Sequence, residues 1–184
     1  MRRKTVVNVQ NCLFMREIEF RGKCVADSKY AGEWVTGGYV QPESFCSNKQ
    51  EGLIVSYLGG SCTQTCHVDV STVGQFTGFT DKDGRKIYEG DILRGDYYPY
   101  HDGGVDNYLG VVFFNCHDCD WEVMKLVTAK SERRGISNVT TTAFFNTDFL
   151  QMEVIGNVWD SKGLFRDTDE EVMEWFNAER SVVL

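Results

Sequence analysis

Apolar and polar positions are patterned most densely from Val73 to Gly95, V-G-Q-F-T-G-F-T-D-K-D-G-R-K-I-Y-E-G-D-I-L-R-G, a stretch that reads as strand, tight turn, strand. Gly74 to Thr80 carries Phe76 and Phe79, Asp83-Gly84 has the chemistry of a hairpin turn, and Ile87, Tyr88, Ile92 and Leu93 resume the apolar pattern. A glycine in such a turn is expected at positive φ.

Upstream, R-E-I-E-F-R places Ile18 and Phe20 on one face of a strand, with Arg16, Glu17, Glu19 and Arg21 left to solvent. Trp34 and Tyr39 flank Gly37-Gly38, which predicts a second strand with a bend or bulge and Trp34 in the core. Gln41 to Glu51, with Pro42, Ser44, Ser47 and Asn48, reads as a loop, and Leu53 to Leu58 as the next strand. Downstream, Tyr97, Tyr98, Tyr100 and His101 sit in a polar loop. Tyr108 to Asn115 is the most continuously apolar run, and Trp121 to Val127 follows it across a short turn. A second polar loop, Lys130 to Asn138, precedes strands at Thr140 to Phe145 and Met152 to Val158.

The period changes near the C-terminus. Thr168 to Glu171 is a capping box, and Val172, Met173, Trp175 and Phe176 recur at helical spacing, so an amphipathic helix is predicted from Asp169 to about Arg180. The expected fold is mainly β: a small SH3-like barrel or strongly curved antiparallel sheet with additional N-terminal strands and one C-terminal helix. The chain divides into an extension (1–14), a β domain (15–165, its barrel part about 68–160) and the C-terminal helix region (166–184). For the extension two readings stand, an extra strand over Thr5 to Val9 or a start placed too early, with Met15 the true beginning.

Val68 to Leu93 resembles the signature of the YopX family of phage and prophage proteins. Three further blocks agree in order and spacing: M-R-E-I-E-F-R-G-K (Met15 to Lys23), G-E-W-V-T-G-G-Y (Gly32 to Tyr39) and E-V-I-G-N-V-W-D (Glu153 to Asp160). The resemblance implies a small, β-rich, phage-encoded protein and carries no particular activity with it.

Composition narrows the function classes. The 184 residues carry 19 basic and 27 acidic side chains, a net charge of −8 that disfavours a general phosphate-backbone binder. The balance is uneven, with seven basic against four acidic residues in Met1 to Trp34 and three against nine in Ala143 to Leu184. Neither a membrane-spanning run nor a signal-peptide core is evident, so the expected location is the cytoplasm of a bacterial host. There the seven cysteines are expected as thiols.

Candidate chemistry is sparse, and no catalytic, cofactor-binding or metal residue is assigned. Cys62-x-x-x-Cys66-His67 and Cys116-His117-x-Cys119 would complete a tetrahedral zinc site if the fold brought them together; isolated thiols are the alternative. Asp81 to Gly84 fails as a calcium loop, because with Gly84 sixth the first and twelfth positions fall on Phe79 and Gly90. Glu89 and Asp91 resemble a carboxylate pair, but on a strand beside Gly90 the expected role is turn hydrogen bonding. No Walker loop, dinucleotide fingerprint or nucleophile motif is present. The favoured reading is a nonenzymatic accessory protein, acting as a homo-oligomer or on a host or phage protein. The alternative is a zinc-containing nucleic-acid module or metal-dependent enzyme.

Overall fold

The computed structural model describes residues 16–25, 30–41, 50–59, 62–95, 108–125, 141–142, 151–161, 173–174 and 176–178. Eleven strands are described: β1 (Phe20–Lys23), β2 (Trp34–Val40), β3 (Glu51–Gly59), β4 (Cys62–Asp69), β5 (Gly74–Thr80), β6 (Lys86–Tyr88), β7 (Asp91–Gly95), β8 (Tyr108–Asn115), β9 (Asp120–Lys125), β10 (Thr141–Thr142) and β11 (Glu153–Asn157). All their pairings are antiparallel, in a six-stranded sheet of order β4-β3-β2-β1-β5-β6 and a five-stranded sheet of order β10-β9-β8-β7-β11. The fold is therefore mainly β and strongly curved.

The first sheet curls on itself. Just past β1, Cys24 bridges Val68 of β4, and the Val25 N–H donates to the His67 carbonyl at 3.0 Å. β1 thus meets both β2 and β4, and the curl encloses Cys24, Ile54, Cys66, Val68 and Val73, with Phe20, Val35 and Tyr39 packed around them. The N-terminal strands, which on sequence alone lack partners, find them in one another and in β5.

In the second sheet alternate residues feed two cores. Val111 and Phe113 of β8 join Ile92, Met124, Val158 and Phe176 on one face. Val112 and Phe114 join Leu93, Trp121, Val123, Met152 and Ile87 on the other. Because both faces are covered, β8 is apolar without interruption. The helical residues 173–174 and 176–178 supply the cover on one side, and Phe176 is fully buried against this chain's own sheet. Thr5 to Val9, the two polar loops, Thr168 to Glu171 and Trp175 lie outside the described residues.

Several local expectations are corrected. β2 shows no bulge in its register with β1 or β3; its glycine permits close approach, since a Cβ on Gly37 would lie 2.2 Å from the Val55 carbonyl oxygen. The turn after β5 is not a two-residue hairpin but spans residues 81–85. The buried Asp81 carboxylate organises it, Oδ1 accepting from the Asp83 and Arg85 N–H groups at 2.9 and 2.8 Å. Gly84 is at φ +80° as expected. Ile92 and Leu93 do not continue that hairpin, because the chain turns at Gly90, also φ +80°, and enters the second sheet as β7.

Gly84 and Gly90 share a backbone conformation but differ in surroundings. A Cβ on Gly84 would meet nothing within 4 Å, whereas one on Gly90 would lie 2.4 Å from the Trp159 ring. Gly84→Ala is expected to cost about 1 kcal/mol from conformation alone, and Gly90→Ala about 1–3 kcal/mol more from overpacking. Urea unfolding of both variants checks this, and equal midpoints would contradict it.

Candidate functional site

The two sheets meet at a polar junction. Arg21 of β1, on the opposite side of its strand from Phe20, reaches Asp91 at the start of β7, with Nη2 2.6 Å from Oδ1. Its guanidinium lies between two rings, 4.9 Å from the Trp34 centroid and 5.0 Å from that of Tyr88. Arg21 is largely covered (13% exposed) and Asp91 is buried (1%), which corrects the expectation that Arg21 is solvated. The alternation correctly puts Arg21 opposite Phe20, but the second sheet occupies what would otherwise be solvent.

Asp91 also ties the corner between the sheets: its Oδ2 accepts the Tyr88 N–H at 2.8 Å. Glu89 and Asp91 do not share a strand face, because Glu89 and Gly90 form the turn before β7. Burial pushes the Asp91 carboxyl up to about 6, outweighing the opposing pull of Arg21 and the Tyr88 N–H. A displaced carboxyl in a cleft would mark a catalytic candidate. Asp91 is 1% exposed, and its displacement follows from that burial at the junction.

Around this pair the remaining charges are also engaged. Tyr88 donates a short hydrogen bond to Glu19, and burial followed by Glu19 raises the phenol's pKa. Lys86 spans Glu17 and Glu19 at 2.7 and 3.0 Å, and the hydrogen bond to Glu17 is the main influence holding its ammonium charged. Asp160 receives Lys23 and the Trp34 indole N–H, each at 2.5 Å; burial opposes its charge, but these donors prevail and lower its pKa. Trp159 lies tilted against Trp34, packs edge-on against Phe176 and donates to the Ser71 carbonyl at 3.1 Å. Thus all four sequence blocks that resemble the family converge here, through Arg21, Trp34, Tyr88 with Asp91, and Trp159 with Asp160.

Beside the junction lies an open groove of about 550 Å³, lined by Glu17 to Glu19, Val35 to Gly38, Val55 to Tyr57, Gln64 and Cys66. Ile18 and Tyr57 on its lining are 69% and 70% exposed. The exposure of Ile18 corrects its assignment to the inner face with Phe20. β1 begins only at Phe20, and before it the chain leaves β2 for β5, where the Phe76 N–H donates to the Glu19 carbonyl at 2.7 Å. Alternation carried past the strand's end therefore misplaces Ile18.

Among the described residues the proposed zinc halves are not assembled, and the Cys62 side chain lies outside those residues. Cys66 points into the core of the first sheet, whereas its neighbour His67 faces outward and lies 3.6 Å from Glu51. Successive strand residues point to opposite faces, so these two cannot converge on one ion. Cys116, His117 and Cys119 occupy the β8–β9 turn of the other sheet, with Cys119 at φ +55°. Among the described residues no three His, Cys, Asp or Glu side chains are grouped to hold a metal. The thiol of Cys66 instead contacts Cys24, a residue that the spacing arguments passed over.

A family profile described as YopX protein matches residues 19–166. No curated protein matches the chain. Among solved structures, the crystal structure of protein EF1440 from Enterococcus faecalis is similar, with a TM-score of 0.45 and 16% identity, covering 83% of this chain and 100% of that one.

Two carboxylates give stability a pH profile of opposing signs. Folding raises the Asp91 pKa, so its contribution is complete at low pH and is lost as the pH rises from about 4 through about 6. At Asp81 burial opposes ionisation, but the N–H groups of Val154, Arg85 and Asp83 prevail and lower its pKa, so its contribution is lost as acid titrates it. Asp91→Asn is expected to remove the decline between pH 4 and 7, on the order of 2 kcal/mol, in urea unfolding. Arg21→Ala, which strands a buried carboxylate, is expected to cost about 3–5 kcal/mol at neutral pH. An Arg21→Ala protein as stable as the parent would rule out the junction's structural role.

Proposed function

The chain belongs to the YopX family, and from that membership and the surface just described we propose that it is a nonenzymatic phage or prophage accessory protein that acts by binding, first of all to a second copy of itself. The observation that carries this reading is the placement of Ile18 and Tyr57, two large apolar side chains more than two-thirds exposed along one groove. Covering each would contribute roughly 1.5–3 kcal/mol, and a twofold contact would count each twice. The acidic side of the groove is no obstacle, because Lys86 pairs with both Glu17 and Glu19. Without that lysine, two copies meeting here would oppose like charges.

The buried polar cluster supports the nonenzymatic part of the reading. Its charged members are spent on holding strands together, and its one strongly displaced carboxyl, Asp91, is sealed. The C-terminal helix supports the groove over the helix as the contact, since Phe176 is already committed to its own sheet. No helix among the described residues is long and apolar enough to cross a membrane. The same proposal puts the protein in the cytoplasm of the bacterial host, where cysteines rest as thiols until an oxidant reaches them.

Light scattering coupled to size exclusion at micromolar concentration tests the assembly. The parent protein is expected as a dimer, and Ile18→Asp with Tyr57→Asp as a monomer with unchanged circular dichroism. A monomeric parent would refute self-association, and a double variant that still dimerises would move the contact away from the groove.

A further inference from the structure

We propose that Cys24 and Cys66 are a thiol oxidation site, converted by a peroxide into a reversible disulfide that locks the seam between the end of β1 and β4. The two Sγ atoms lie 2.8 Å apart, in contact, from residues 42 positions apart in the chain. Both side chains are buried, so the pair is held by its surroundings and not by a chance meeting of surface thiols. A disulfide needs the sulfurs to close to about 2.05 Å, a movement of well under 1 Å.

The position gives the bond a structural consequence. At this seam the curled sheet closes through one isolated bridge, Cys24 with Val68, and the backbone hydrogen bond from Val25 to His67. A covalent link there would replace the weakest pairing of the curl with its strongest constraint, and it would close a loop long enough to restrict the unfolded chain substantially. Cys66 is also a lining residue of the groove beside Gln64 and Tyr57, so the proposed approach of a molecule as small as a peroxide is from that groove.

The chemistry balances with one equivalent of hydrogen peroxide. The Cys66 thiolate attacks one peroxide oxygen, the O–O bond breaks and water leaves, giving a sulfenic acid. The Cys24 thiolate then attacks the Cys66 sulfur, the S–S bond forms, the S–O bond breaks, and the hydroxide departs as a second water with the remaining proton. Two thiols are oxidised by two electrons and the peroxide is reduced by the same two.

The test treats the full-length folded protein with hydrogen peroxide, blocks remaining thiols under denaturing conditions, and maps peptides by mass spectrometry. The expected product is a peptide pair joined through Cys24 and Cys66, lighter by two hydrogens and separated by dithiothreitol. The treated protein is expected to unfold at higher urea than the reduced form, and Cys24→Ala to show neither link nor shift. The mapping of the parent protein decides the matter even if that variant fails to fold. Reduced Cys24 and Cys66 in a sample whose exposed Cys119 has reacted would overturn the proposal, as would Cys66 carried to sulfinic acid without the link.

Discussion

Arg21 is the hinge on which the arrangement of the two sheets depends. A guanidinium fits this position because it can be stacked on both faces and paired at its edge, which an ammonium cannot match. Trp34 and Tyr88 each offer it a ring and Asp91 a carboxylate, so one side chain from β1 fastens β2, β6 and β7. The burial of both charges is costly, and the raised Asp91 pKa is the trace of that cost. What the pair gives in return is a fixed polar relation between two sheets that Ile87 and Phe79 of the first also join through the second sheet's core.

The corner at Gly90 is the steric counterpart of this electrostatic constraint. With no side chain there, Trp159 and Phe176 close over the turn, while the Gly90 N–H donates to the Val112 carbonyl at 2.8 Å and its carbonyl accepts from Val158 at 3.0 Å. β7 is thereby fixed between β8 and β11 directly after Asp91 has met Arg21. A second set of contacts follows along the same boundary: Asp81 accepts from the Val154 N–H at 3.1 Å, and Glu153 receives Lys82 and Arg94 at 3.0 and 2.9 Å. The segment from Asp81 to Asp91 therefore works as a connector whose polar groups face the neighbouring sheet.

This use of polar side chains shapes the functional reading. Among the described residues, the Asp81 and Asp91 carboxylates hold backbone N–H groups, Asp91 also pairs with Arg21, and Glu17 and Glu19 pair with Lys86. The groove differs in character: its apolar residues are exposed and its acidic residues are neutralised by a lysine from β6.

The sequence by itself pointed to most of the strands, to the mainly β fold class and to the positive φ of Gly84, since these follow from side-chain period and turn chemistry; the polar stretch that forms β4 (Cys62–Asp69) reads only as a connection. The resemblance of its four blocks also gave the family. Tertiary structure alone decided what lay opposite each face. Arg21 reads as a solvent-facing residue because alternation separates two faces without saying that both are covered. Ile18 reads as core because alternation does not show where a strand ends. Cys24 and Cys66 come into contact only because the first sheet curls until β1 reaches β4, and Cys116 stays in the other sheet for the same topological reason. Local pattern encodes periodicity and turns, whereas contacts between residues 42 or 70 positions apart depend on how the sheets curl and pack.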